Sequence, residues 1–278
     1  MKRLFYFIVT TAFTLTTFSS CFDGVIIEGN NEISEEDRTI PDFESISSAG
    51  SFDVYYTQGE ETSVKVVCES NLIPYIETAV FNNNLNIRTA IHTSIYNHHP
   101  IEVYVTSPSV NRILLSGSGK IETDSVSSQK LSLEVSGSGN IYSNFYGGHF
   151  SSIISGSGSM YLSCLCDTVE TLVSGSGHID LVTGDCLSTS VTISGSGKAI
   201  LSGSSNYASY QIVGSGKILA YDFPVSTADV LISGSGNVYI TVSDYLNAIL
   251  SGSGNIHYKG RPVINFNASS SGNLIPEN

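Results

Sequence analysis

Three sets of side chains in this sequence have types and spacings from which chemistry could be built. His92, His98 and His99 stand close together before Pro100. A metal ion would need a further ligand held with them in a tetrahedral or octahedral array, and their surroundings read instead as a polar loop. Cys68, Cys164, Cys166 and Cys186 form the second set. The third is acidic: from Ile113 onward the chain has 11 Asp or Glu against 6 Lys or Arg. General acid–base work or Ca²⁺ binding needs carboxylates gathered together. Asp124, Asp167, Asp180, Asp185, Asp222 and Asp244 are scattered instead. No catalytic residue, metal ligand or cofactor site is expected from these sets.

The elements that would position them are set by a repeat. Ser-Gly-Ser-Gly recurs at 116–119, 136–139, 155–158, 174–177, 194–197, 233–236 and 251–254, with Val213-Gly214-Ser215-Gly216 and Ser269-Ser270-Ser271-Gly272 completing the series. Successive final glycines are 18 to 20 residues apart. A second period, of two, flanks each unit. Leu131, Leu133, Val135, Gly137, Gly139 and Ile141 share one parity, while Ser132, Glu134, Ser136, Ser138, Asn140 and Tyr142 share the other. Alternate residues of a strand face opposite sides, so one face is aliphatic and glycine, the other polar. A unit this short cannot bury its own apolar face, but parallel stacking of units builds a shared core. Crossovers between parallel strands are right-handed. The expected fold is therefore all-β, a right-handed parallel β-helix (solenoid) of about 19 residues per coil, forming a rod of roughly 40 Å. The inward glycines imply a corner with no room for a Cβ.

That frame converts sequence offsets into neighbours. Asn140, Tyr142, Tyr161, His178, Asn237, Tyr239, Asn255 and His257 occupy the two outward positions after the corner. They form a candidate binding ladder for a glycan or protein, or a row that simply stabilises the wall. Cys166 and Cys186 fall near one another on adjacent coils, where a disulfide is feasible in an oxidising envelope; small apolar core residues are the favoured reading. The repeated glycines are not nucleotide loops, which need one glycine-rich turn between a strand and a helix.

The ends define compartment and boundaries. Lys2 and Arg3, the apolar run Leu4–Phe18 and the small residues Ser19 and Ser20 describe a secretory signal peptide over 1–20. Phe18-Ser19-Ser20-Cys21 resembles the bacterial lipobox, with Phe where Leu is preferred, so Cys21 is the expected lipidation site and its acyl chains the expected membrane contact. Residues 21–40, rich in Glu and Asp, read as an acidic tether after that Cys. Residues 41–112 read as an N-terminal β segment capping the solenoid, with a turn at Asn82-Asn83-Asn84 and one short helical turn within 69–77. Residues 113–278 are the repeat solenoid. Loss of Lys2 and Arg3 would deepen the net charge of -13 to -15, the wrong sign for nucleic acid.

Phe52-Asp53-Val54-Tyr55-Tyr56-Thr57-Gln58-Gly59, and Ile101–Pro108 running into Leu115-Ser116-Gly117-Ser118-Gly119, resemble the head-GIN domain family of auto-transporter adhesins. The resemblance covers about residues 41–275. It implies a right-handed β-helix, secretion, often a lipoprotein signal in Gram-negative bacteria, and no catalytic residues to carry over. The chain has more Ser-Gly-Ser-Gly units than the usual domain, which suggests a lengthened rod. The functional expectation is a lipid-anchored envelope protein, in the outer membrane or at the surface of a Gram-negative bacterium, acting as an adhesin or binding and structural module. The alternative is a β-helix carbohydrate-active enzyme, a polysaccharide lyase or hydrolase. A groove with two carboxylates, or a carboxylate and Arg, would favour it; a flat Ser/Asn/Tyr wall would not.

Overall fold

The computed structural model describes residues 24–269 and 271–277. The expected leader and Cys21 lie outside them. The chain begins with β1 (Val25–Glu28), β2 (Ile33–Arg38), β3 (Ser45–Gly50), β4 (Asp53–Gln58) and β5 (Ser63–Glu69). A single 3₁₀ turn, Ile73–Tyr75, leads to β6 (Ile76–Phe81), β7 (Asn84–Thr89), β8 (Thr93–Tyr96), β9 (Glu102–Ser107) and β10 (Arg112–Gly117). Then come the coils, each bending twice within one long strand: β11 (Lys120–Gly137), β12 (Asn140–Gly156), β13 (Ser159–Gly175), β14 (His178–Gly195), β15 (Lys198–Gly214), β16 (Lys217–Gly234) and β17 (Asn237–Gly252). Three short strands finish the rod: β18 (Asn255–Lys259), β19 (Val263–Ala268) and β20 (Asn273–Pro276). The fold is a β-solenoid of about nine turns with roughly 19-residue spacing.

Every coil pairs in parallel with the next, in register at the glycines: Gly117 with Gly137, Gly137 with Gly156, Gly156 with Gly175. The expected inward parity is the core. Leu131, Leu133, Val135, Ile141, Ile193 and Ile232 are fully buried. The two glycines of a corner do different work, as the 174–177 corner shows. Gly175 has φ +122°, a conformation open to glycine, and a Cβ there would stand 2.5 Å from the Gly156 carbonyl oxygen. Gly177 has ordinary φ, but a Cβ would lie 2.5 Å from Ile154 Cγ2. The flanking Ser174 and Ser176 are exposed. The corner is held by backbone, with Ser176 N–H donating to Gly156 O at 3.0 Å.

Variation in coil length falls at the two bends away from the glycine corner. Register shifts fall between Glu122 and Ser125, Cys164 and Thr168, Val182 and Asp185, Ile200 and Ser205, Ala220 and Pro224, and Val225 and Thr227. The glycine corner has no space for an extra residue, so insertions go where side chains face water.

Two expected boundaries are corrected. Of the stretch 21–40 read as a tether, the described residues 24–40 are part of the fold: β1 pairs in parallel with β8, and β2 pairs antiparallel with β5. The acids misled because β2 closes the end of the rod, where its core-side positions carry an ion pair rather than aliphatics. Arg38 meets Glu36 at 3.0 Å and donates to the Ile73 carbonyl at 3.1 Å. Nor does the solenoid begin at 113. β10 pairs with β3 and β11 with β4, so Ala49-Gly50-Ser51-Phe52 is a divergent corner of an earlier coil, with Gly50 at φ +142°. β7 and β9 complete a coil on the far side of β3 and β4. Strands β2, β5 and β6 do cap that end, antiparallel to their partners.

Candidate ligand-binding face

The wall that follows each glycine corner is continuous over most of the rod. It runs β2, β5, β9, β4, then the opening residues of β11 to β17, then β18 and β20. Thirteen strands about 4.8 Å apart give a face of about 58 Å. Its central outward row reads Asp37, Lys65, Tyr104, Tyr55, Glu122, Tyr142, Tyr161, Asp180, Ile200, Leu219, Tyr239, His257 and Ile275.

The expected ladder residues fall on this wall in two groups. Tyr142 and Tyr161 stack at 5.0 Å between centroids and 9° between planes, and His178 meets Tyr161 edge-on at 6.1 Å. Further along, Tyr239 and His257 stack at 4.5 Å, while Asn255 Nδ2 donates to Asn237 Oδ1 at 3.3 Å and Asn273 repeats the bond to Asn255. Asn140 stands beside Lys120 and Ser159 in the flanking row. The sequence reading missed a third group. Tyr55 and Tyr104 stack at 5.1 Å, with the Lys120 ammonium 4.7 Å above the Tyr55 ring and 3.2 Å from its hydroxyl. The Tyr55 hydroxyl, with burial opposing, draws the Lys120 ammonium above its usual range. A hydrogen bond to Glu102 raises Tyr104 likewise. Tyr221 was missed too; it lies edge-on to Tyr239 at 5.6 Å under the Lys259 ammonium at 4.3 Å. The outward parity of Tyr55 was readable, but its neighbours depend on β4 lying against both β9 and β11.

The stacking decides what this face can offer. Rings paired face to face cover each other's π surfaces, so phenol hydroxyls, ring edges, amides and ammonium groups point to water. Between Glu122 and Asp180 the wall dips into a shallow trough of about 390 Å³, lined by Tyr142, Tyr161, Ser143 and Ser163. Those two carboxylates are three rungs apart, about 14 Å. A glycosidase pair works at roughly 5–9.5 Å, so this trough lacks that geometry.

The other residues singled out from sequence sit elsewhere. His98 donates its backbone N–H to Glu69 and places Nε2 3.5 Å from Glu28, with its ring edge-on to Tyr96. Cys68, Cys164, Cys166 and Cys186 are buried free thiols. The bulge between Cys164 and Thr168 brings Cys166 to both Cys164 and Cys186. The bond to Cys164, with burial adding to it, pushes the Cys166 thiol up to about 12 although Cys186 pulls the other way. Cys186 is raised as well, by Cys166 and by burial.

A β-solenoid with a laddered outward wall defines a repeat protein built around an extended face rather than a cleft. The chain belongs to the family described as "Putative auto-transporter adhesin, head GIN domain", whose model matches residues 42–199 and 167–262. Three solved structures share the fold. A "putative lipid binding protein" from Parabacteroides distasonis is 23% identical with a TM-score of 0.72, over 91% of this chain and 100% of that one. A "putative adhesin" from Parabacteroides merdae is 22% identical with a TM-score of 0.73, over 91% and 99%. A "putative adhesin" from Bacteroides fragilis is 19% identical with a TM-score of 0.52, over 90% and 100%. No curated protein matches the chain.

Proposed function

We infer that this chain is an exported envelope lipoprotein, held by acyl chains on Cys21, that binds an extended glycan along its laddered wall without catalysis. One observation carries the reading: a single outward face spans thirteen strands and presents hydroxyls, amides and charges at every rung. A polar polymer lying along the rod axis would meet a hydrogen-bonding group about every 4.8 Å. Shallow polar faces suit many modest contacts rather than one deep anchor. Adhesion is also what the family description names. Lipid binding, named for one relative, would here fall to the anchor and the surface, because the core-facing side chains of the middle coils fill the interior at almost no exposure.

The test is a glycan array, with a pull-down from cell-surface extracts in parallel, on the mature chain and on a Tyr142→Ala/Tyr161→Ala variant. The reading expects glycan signals that fall at least about tenfold in the variant, a loss of about 1.4 kcal/mol. Binding confined to proteins, or signals unchanged by the substitutions, would defeat it. The anchor is tested by palmitate labelling of cells expressing wild type or Cys21→Ala, where only wild type should take up label and stay with membranes.

A further inference from the structure

Four large apolar side chains stand out of the fold at one place. Val25 and Ile26 on β1, Ile91 in the turn before β8, and Tyr96 on β8 are 64, 70, 65 and 61% exposed. They are not spare core residues. Ile27 and Ile95 of the same two-stranded sheet pack against the core, and alternation commits Ile26 and Tyr96 to the opposite face; Val25 has the parity of Ile27 but is exposed at the outer end of its strand. Val25 N–H donates to His92 O at 2.9 Å, which sets Val25 beside the turn that carries Ile91.

The sheet is also fastened to the body. Glu69, buried beneath it, accepts N–H bonds from Asn31 and His98, both at 2.9 Å. Asn71 Nδ2 donates to Glu28 O at 2.7 Å. The patch therefore holds a fixed position on the rod.

The covalent chain says what covers it. Val25 is four residues beyond Cys21, a reach of at most about 14 Å. An acylated Cys21 keeps the Val25 end of this patch within that distance of a bilayer throughout the life of the protein. Apolar groups held there seat about 5–10 Å into the boundary between headgroups and acyl chains, and a tyrosine keeps its hydroxyl wet while its ring is buried. We propose that Val25, Ile26, Ile91 and Tyr96 form a membrane-docking surface that seats the capped end of the rod on the lipid beside its anchor. This rests on the anchor reading above. Glu28 on the same face and Glu32 nearby are exposed acids, so the matching surface is zwitterionic, and contact should withstand high salt.

The chain has no tryptophan, so one introduced Trp reports its own surroundings. Ile26→Trp and, as a distant control, Leu231→Trp on the solenoid wall are made in the lipidated chain, reconstituted into phosphatidylcholine vesicles with and without brominated acyl chains. The same substitutions are made in a Cys21→Ala chain tethered by an N-terminal histidine tag to nickel-chelating lipid. The expected result in both formats is blue-shifted emission from Trp at 26, roughly halved by brominated lipid and unaffected by 1 M KCl, with no quenching at 231. Equal emission at 26 and 231 in vesicles that retain the protein would overturn the docking surface and leave the anchor standing. Failure of the native chain to stay on vesicles, with quenching at 26 in the tagged format, would instead refute the anchor and uphold the surface. An Ile26→Asp/Ile91→Asp variant should keep its thermal unfolding midpoint, both sites being exposed, and should lose protection of residue 94 from a soluble modifying reagent when carried as Ser94→Cys.

Discussion

Replacing Gly175 by Ala tests whether the glycine corners close the rod. The new Cβ would stand 2.5 Å from the Gly156 carbonyl oxygen, a backbone atom of the coil below, on a residue whose φ is +122°. Backbone strain of that kind costs about 1–3 kcal/mol, and overpacking adds a similar amount, so a loss of about 2–6 kcal/mol is expected. Gly177→Ala meets only the second cost. Its near contact is Ile154 Cγ2 at 2.5 Å, although Gly158 O lies at 3.0 Å, and about 1–3 kcal/mol follows. The difference shows in a double-mutant cycle. Ile154→Ala removes the atom that the methyl of Gly177→Ala strikes, so those two substitutions should couple favourably by more than about 0.5 kcal/mol. Ile154→Ala should bring no such relief to Gly175→Ala, whose clash is with backbone. Ser176→Ala, on an exposed side chain, should stay within about 0.5 kcal/mol of wild type. Urea unfolding gives the ranking, with the Gly175→Ala midpoint lower by roughly 1 M or more, and hydrogen exchange should show the loss centred on β12, β13 and β14. A Gly175→Ala protein as stable as Ser176→Ala would refute the close approach of successive corners, and with it the stacking of the coils.

Burial pushes the Glu69 carboxyl up, but N–H bonds from Asn31, His98 and His99 outweigh it and hold the group below its usual range. Its contribution is therefore complete at neutral pH and lost as pH falls below about 4.3 toward the folded value; amide exchange in β1 and β8 should rise over that window in wild type and already be fast at pH 7 in Glu69→Gln. The raised, buried thiols of Cys166 and Cys186 should resist alkylation at pH 8 until the chain is denatured, as intact-mass measurement would show. Burial, then the Lys198 ammonium, holds the His178 imidazole below its ordinary value against the pull of Asp180. Its NMR titration midpoint should lie below about 6.5 and move up in Lys198→Ala; the neutral form favoured by folding means that stability from this group fades as pH falls through 6.5.

The coils were legible because two independent periods agree in them. Glycine spacing placed the corners, and alternation chose the inward set, so Leu133, Ile193 and Ile232 were assigned to the core without any long-range information. Asn82 and Asn83 were readable as a turn by composition alone; both adopt positive φ, at 49° and 63°, and join β6 to β7 as an antiparallel hairpin. The order of the first coils was not legible. β7 and β9 follow β3 and β4 in sequence yet lie outside them in space, and no local pattern encodes that reversal. For the same reason the ladder was recognised from Asn140 onward, where neighbours follow from counting, and missed at Tyr55 and Tyr104. The acidic stretch at β2 failed differently: its core-side positions are Ser34, Glu36 and Arg38, so hydrophobic alternation, the signal sought, is absent from a strand that is nonetheless paired along its length.

Because register slips are confined to the other two bends and the glycine corner admits none, the glycine column tolerates change only in whole coils. A duplicated coil of about 19 residues, inserted anywhere between Gly117 and Gly252, would find a glycine pair beneath it and another above. Both columns would remain in phase, no interior side chain would need redesign, and the rod would grow by about 4.8 Å. Length is thus a quantity that gene duplication can count out one rung at a time, setting how far the distal end stands from the capped end, which is left untouched.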